Sequence, residues 1–245
     1  MARPLLLLTL CLTLASESFA GEPLRIAVAA NFRHAAEQLA ATYTELSGYK
    51  STLQVASTGM LYAQIIHGAP FHVFLAADNE RPQKLVQAGL AEPESRMTYA
   101  VGELVLVPPG PTPDWAENIR SENPRVAIAN PTIAPYGKAA LEALNYRHVD
   151  IPLHKLIKAN NVAQAFQMWD TGNTDYALVS RAQAIGTQHR IIPFDSYTQI
   201  DQQAVLLKRG TAHPAAGEFM KFLKSDRARQ LIRASGYGLA SIPQS

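Results

Sequence analysis

The stretch Arg25-Ile26-Ala27-Val28-Ala29-Ala30-Asn31-Phe32-Arg33-His34 decides the fold. A short apolar run of strand type turns at Asn31 and continues into a helix with one apolar face. Asn is a favourable helix N-cap, because its side-chain oxygen accepts from the free N–H groups of the first turn. A helix that starts just beyond a strand end is also an anion site, since unpaired N–H groups and the positive end of the dipole point outward together. Both roles are open to Asn31 on this stretch alone. Other turns of the same neutral, polar kind would favour the second.

Working outward, Ala36, Leu39, Ala40, Tyr43 and Leu46 recur at three and four residues, which predicts a helix over 32–46 ended by Gly48. Residues 51–55 alternate as a strand. Ala56-Ser57-Thr58-Gly59 then leads into a helix over 60–67, stopped by Gly68 and Pro70. Residues 73–76 read as a buried strand, and Asp78-Asn79 opens the helix that carries Lys84-Leu85-Val86. Asp78 ends a strand, as a catalytic carboxylate can, and is read as the cap of that helix. Strand and helix alternate throughout, which predicts a parallel sheet with helices on its faces.

Residues 101–107 read as one strand. It is followed by Pro108-Pro109-Gly110-Pro111-Thr112-Pro113, a stiff extended connection taken as the neighbourhood of a domain crossing. A second alternating set comes next. It has a strand over 125–129, the turn Asn130-Pro131-Thr132-Ile133-Ala134-Pro135-Tyr136-Gly137 and a helix over 138–144. Asn160-Asn161-Val162 then leads into a helix over 163–169 that Gly172 closes. A strand over 176–179, a short helix over 181–185, a strand over 204–207 and two amphipathic helices over 214–223 and 226–234 complete the chain.

The 245 residues are 47% hydrophobic and 17% charged, enough for one large domain or two modest ones. Lys and Arg number 22 against 20 Asp and Glu, with no basic run, so nucleic acid is excluded as a partner. The seven histidines are scattered and form neither HExxH nor a helix-face pair, which argues against a zinc site. Arg3, the apolar run over 5–14 and Ser18-Phe19-Ala20 have the order of a cleavable secretory signal, with the mature chain starting near Gly21. That run is too short to span a bilayer. Cys11 is the only cysteine and follows Leu10, where a lipoprotein signal carries a small residue. An exported chain without disulfides relies on its core, which fits an α/β protein.

Four places share one pattern: Ala30-Asn31, Ser57-Thr58-Gly59, Pro135-Tyr136-Gly137 and Asn161-Val162. Each opens a helix and offers amide, hydroxyl or backbone N–H donors, and none has a charge at its centre. Val162 can contribute only its N–H. Two lie before the proline stretch and two after it. Ligands of open α/β sheets sit at strand ends against helix starts, so two facing sheets would gather all four turns around one cleft. No GxSxG, Walker A or GxGxxG motif and no paired carboxylates point to an enzyme. An amino acid or small carboxylate ligand calls for an Arg or acidic partner, which the four turns lack.

The runs Ile26–Phe32, Ser57-Thr58-Gly59, Gln64–Asp78, Tyr99–Val107, Ile128–Gly137 and Ala159–Val162, with the last two helices, resemble the periplasmic molybdate-binding proteins of the ModA family. The resemblance covers essentially the whole mature chain. It implies an α/β, two-lobed periplasmic binding protein of type II, with a mixed, mostly parallel sheet in each lobe and a two-strand hinge. Residues 21–103 and 204–245 would share one lobe and 104–203 form the other. It further implies a monomeric, periplasmic, non-enzymatic solute carrier without cofactor, serving the membrane permease of an ABC importer. Molybdenum would enter only as molybdate, and tungstate as its substitute. Oxyanion contacts carry over to Asn31, Thr58, Tyr136 and Val162, with Ser57 and Ala30 beside them. The chain departs from the family at Ala30, where one branch has Thr, and at Ser180, where other relatives have a site Tyr. The remaining alternatives are a binder of sulfate or phosphate on the same fold, or an enzyme acting on a small anion.

Overall fold

The computed structural model describes residues 22–239. The expected secretory signal lies outside them. The first lobe begins with β1 (Leu24–Ala29), a single 3-10 turn (Ala30–Phe32), α1 (Arg33–Ser47), β2 (Ser51–Ala56), α2 (Thr58–Ile66), β3 (Val73–Leu75), α3 (Glu80–Gln87) and β4 (Met97–Gly102). The second lobe contains β5 (Leu104–Val107), α4 (Trp115–Glu122), β6 (Val126–Ala129), α5 (Pro135–Tyr146), β7 (Leu156–Ala159), α6 (Val162–Asp170), β8 (Tyr176–Ser180) and β9 (Arg190–Ile191). β10 (Ile200–Leu206), α7 (Pro214–Phe222) and α8 (Asp226–Ala234) return to the first.

Each lobe is built on one five-stranded sheet, in the orders β2-β1-β3-β10-β4 and β7-β6-β8-β5-β9. Both are mixed. β1 runs parallel to β2 and β3, while β10 is antiparallel to β3 and β4. β6 runs parallel to β7 and β8, while β5 is antiparallel to β8 and β9. Helices cover both faces of the first sheet, so side chains of either parity are buried. Leu24, Ile26 and Val28 of β1 join Val73, Leu75 and Ala204 in a core under α1, α7 and α8. Ala27, Phe74 and Val205 point the other way, onto Leu61 and Ile65 of α2 and Leu85 of α3. One large cluster around Leu104, Leu106, Ile128 and Leu178 forms the core of the second lobe.

The chain passes between the sheets at Glu103 and again over residues 192–199. The two crossings are tied together, because the Leu104 N–H donates to the Tyr197 hydroxyl at 3.1 Å. Residues 101–107 are therefore two strands in different sheets, not one. The break falls at Gly102-Glu103, inside an otherwise apolar run, and the Glu103 charge pairs with Arg181 at 2.9 Å. The proline stretch is not the crossing. It folds back on α4 within the second lobe, where buried Asn118 accepts from the Thr112 N–H and donates to the Thr112 carbonyl, both at 3.0 Å.

Other expectations also shift. Residues 181–185 form successive turns, ended by Gly186 at φ 84°, and not a helix. α4, β7 and β9 are additions: α4 is set by Asp114, whose carboxylate caps it by accepting from Ala116 and Glu117, and the two strands are short edge strands. β10 extends back to Ile200 through the polar Asp201-Gln202-Gln203, because Gln202 is buried with its amide paired. At the other end of the opening motif, Gly48 adopts φ 77° and its N–H returns to the Thr44 carbonyl, so α1 ends where glycine allows it.

Leu39 is fully buried on the core-facing side of α1. Leu39→Ala is expected to cost roughly 2–5 kcal/mol, lowering the melting temperature by about 2–4 °C per kcal/mol for a chain of this size. Calorimetry of the two proteins without ligand measures it.

Candidate functional site

The four neutral turns meet. Ala30, Asn31, Ser57, Thr58, Tyr136 and Val162 all line one small cavity between the lobes. Ala29, Ala77, Ala134, Pro135 and Asn161 complete its wall, and no charged side chain is among them. Its volume is about 10 Å³. That is close to the least that holds one water molecule. Four helix starts surround it: the 3-10 turn before α1, and the first turns of α2, α5 and α6. First-turn N–H groups have no carbonyl four residues back to bond, so they face outward unpaired.

Each turn is held by its own local chemistry. Thr58 opens α2 and is 1% exposed, and its Oγ1 accepts from the Ala77 N–H at 3.2 Å. With that acceptor role filled from behind, the hydroxyl proton remains free to donate. Ser57 precedes it, and its Oγ is buried without a hydrogen-bond partner among the described residues. Native structures seldom leave such an atom unpaired. Pro135 takes the first position of α5, where its missing N–H costs nothing. Asn161 caps α6, its Oδ1 accepting from the Gln164 N–H at 2.9 Å, and presents the Val162 N–H at the first helical position.

Asn31 behaves differently from the expectation. It lies inside the 3-10 turn and caps no helix; the residue before that turn is Ala29, and α1 follows Phe32, neither with a side-chain cap bond. The Asn31 Nδ2 donates to Gln202 Oε1 at 2.7 Å and to the Tyr237 hydroxyl at 3.2 Å. The Tyr237 hydroxyl donates in turn to the Asn31 carbonyl at 2.6 Å. Burial explains the difference, since at 5% exposure both amide hydrogens need partners and find them in the core. Gln202 also accepts from the Tyr99 hydroxyl at 3.3 Å and donates through Nε2 to the Tyr136 hydroxyl at 3.4 Å. The Tyr136 hydroxyl thus reaches across to the first lobe, over Gly102, where a Cβ would sit 2.2 Å from it.

Gln202, Tyr99 and Tyr237 escaped the sequence reading. The available signal was the alternation of β10, which turns Ile200, Gln202 and Ala204 inward together; an amide at an inward position must have partners. Ser180 is fully buried, does not line the cavity, and donates to Gln183 Oε1 at 3.3 Å. Asp78 lies one residue before Asn79, the N-cap of α3, and accepts from the Arg81 N–H in its first turn at 3.0 Å.

The lobes touch directly beside the cavity. The Gly59 N–H donates to the Ile133 carbonyl of the second lobe at 2.8 Å. Any Cβ at position 59 would lie 2.9 Å from the Ile133 Cα and O, so this approach requires glycine. Gly137 plays the same part within the second lobe, where a Cβ would lie 2.0 Å from the Ala129 carbonyl oxygen.

A family model described as "Bacterial extracellular solute-binding protein" matches residues 24–238. The molybdate-binding protein ModA of Rhodobacter capsulatus is 41% identical over 94% of this chain and 93% of its own. That of Azotobacter vinelandii is 38% identical over 88% of this chain and 89% of its own. The solved periplasmic molybdate-binding protein of Azotobacter vinelandii superposes with a TM-score of 0.83 at 35% identity, covering 89% of this chain and all of that one.

Burial pushes the phenols of Tyr99 and Tyr136 well above their ordinary value of 10.0, and that of Tyr237 well up likewise, though its bond with Asn31 opposes the shift. A raised phenol favours the neutral form in the fold. The stability it contributes is full below pH 10 and is lost as pH climbs toward the folded value. Ultraviolet titration of the nine tyrosines is therefore expected to show these three ionising only as the protein unfolds at high pH. Nine freely titrating phenols in folded protein would contradict the network.

Proposed function

The chain belongs to the bacterial extracellular solute-binding proteins and, within them, to the ModA family of molybdate-binding proteins, and we propose that it captures molybdate between its lobes with neutral donors alone. It is a binding protein of an ABC transporter and not an enzyme. The observation that carries the binding mode is the gathering of four uncharged helix starts, with an unpaired Ser57 hydroxyl, on one interlobe cavity.

A fully ionised tetrahedral oxyanion needs donors and no acceptor. In this reading the Thr58 and Ser57 hydroxyls donate, and the backbone N–H groups of Asn31, Tyr136 and Val162 do the same. Ala30 contributes backbone only. The Asn31 amide is engaged with Gln202 and Tyr237 and acts as a support, whereas the Tyr136 hydroxyl only accepts from Gln202 and keeps its proton to donate. Hydrogen bonds to a charged partner are worth roughly 1.5–3 kcal/mol each, so a handful can offset the anion's hydration. Neutral donors avoid the desolvation of a buried Arg or Lys. Phosphate near neutral pH keeps a proton that wants an acceptor. No carboxylate lines the cavity, and an unmatched proton and acceptor set costs about 1–3 kcal/mol.

Molybdate, tungstate and sulfate carry equal charge, so discrimination among them falls to size. The tight cavity means that the lobes part slightly to seat a tetrahedral ion and that a larger guest holds them open. Tungstate, close to molybdate in shape, is the expected substitute. The loaded, closed form is then the species presented to the membrane permease, by a monomer in the periplasm. Closure of this kind is a hinge motion of two lobes about their connecting strands.

Thermal melting with molybdate, tungstate, sulfate and phosphate tests the reading. Ligand at 100 times its dissociation constant adds about 2.7 kcal/mol, a shift of several degrees for this size. Molybdate and tungstate are expected to produce it and phosphate not. Thr58→Ala should abolish most of the shift and Thr58→Ser retain it. A shift with phosphate alone, or with none of the four, would overturn the assignment.

A further inference from the structure

The lobes meet a second time beside the cavity, at the start of α3. Arg81 and Asp78 stand there in a groove of about 230 Å³ between the lobes. They form an ion pair whose side chains are only 18% and 15% exposed. Asp78 accepts from the Arg81 N–H and, through Oδ2, from Nη1. The other arm of the guanidinium, Nη2, donates to the Thr132 carbonyl of the second lobe at 3.2 Å. The next carbonyl, that of Ile133, is the one held by the Gly59 N–H. Two successive carbonyls of one second-lobe turn are thus clasped by two first-lobe helix starts.

That turn is itself rigid. Asn130 Oδ1 accepts from the Thr132 N–H at 3.1 Å, and the Asn130 carbonyl accepts from the Ala134 N–H at 2.9 Å. It leads directly into Pro135 and Tyr136. On the first-lobe side, Asp78 follows Ala77, whose N–H supports the Thr58 hydroxyl. The clasp therefore joins the segment behind one cavity wall to the turn that forms the opposite wall. Neither Arg81 nor Asp78 lines the cavity. A helix cap alone would not need the guanidinium. Arginine's planar fork can hold a carboxylate with one arm and a carbonyl with the other, which an ammonium group does less well.

We propose that Arg81, pinned by Asp78, is a latch between the lobes: it sets how long the closed form lasts, and hence how fast the anion leaves, without choosing which anion binds. The inference rests on the reading of the protein as an oxyanion carrier. Arg81 is a positioning residue in this role, acting through lobe closure and not through contact with the ion.

The test loads wild type, Arg81→Ala, Arg81→Lys and Asp78→Asn with radiolabelled molybdate and follows release into excess unlabelled molybdate. Arg81→Ala is expected to release about tenfold faster, equivalent to ~1.4 kcal/mol, with Arg81→Lys and Asp78→Asn in between. The ratio of molybdate to sulfate affinity should stay at the wild-type value. A wild-type release rate in Arg81→Ala, or an altered anion ratio, overturns the latch. A second measurement needs no anion. Nitroxides are placed on Leu46→Cys and Leu153→Cys, exposed positions in the first and second lobes, in a Cys11→Ser background. Arg81→Ala is expected to lengthen the distance between them. An unchanged distance sinks the latch by itself, whereas failure of wild type to bind molybdate sinks the carrier reading and leaves the distance result to decide the latch.

Discussion

Four helix starts aim unpaired donors at one small space between two lobes, and the rest of the architecture follows from what that arrangement costs. A buried donor without a partner loses roughly 1–3 kcal/mol, so such a site is stable only when something fills it or when the lobes open to water. In the proposed mode, the same donors that penalise the closed form alone favour it around an anion. A guest that supplies only acceptors converts the penalty into binding, and closure becomes conditional on the guest. This coupling needs very close backbone approach between the lobes, which explains glycine at 59, where a Cβ would lie 2.9 Å from Ile133.

Behind the cavity, the polar groups pair with one another. Gln202 collects Asn31, Tyr99 and Tyr136, and Tyr237 clamps Asn31 from both its amide and its carbonyl. Such a network is worth most when every member is satisfied. In the proposed binding mode it is a fixed backing, and the hydroxyl protons and first-turn N–H groups in front of it do the binding. Gln202 lies on the strand that returns from the second lobe, and Tyr237 on the closing segment of the chain. The first contact of the opening motif is thus held by residues roughly two hundred positions away.

Much of this was legible in the sequence. The alternation of strands and helices, and the turns at Ser57-Thr58 and Asn161-Val162, follow from local periodicity and capping chemistry, which act within a few residues. Asn31 was legible as a helix-start residue beside a strand end but not as a buried one, because its partners Gln202 and Tyr237 are chosen by tertiary packing. The strand break at Gly102-Glu103 was missed for a related reason: one glycine and one charge within an apolar run fit a bulge in one sheet as well as a change of sheets. Prolines 108–113 misled in the opposite sense, since their stiffness serves a loop folded onto Asn118 and not a crossing between lobes.

The most direct measurement is diffraction from crystals grown with molybdate, recorded on both sides of the molybdenum absorption edge. The account predicts one anomalous peak in the interlobe cavity, within hydrogen-bonding reach, through the oxygens, of Thr58 Oγ1, Ser57 Oγ and the N–H groups of Asn31, Tyr136 and Val162, with no Lys or Arg in contact. A peak elsewhere, or one neutralised by a basic side chain drawn into the cavity, would contradict it.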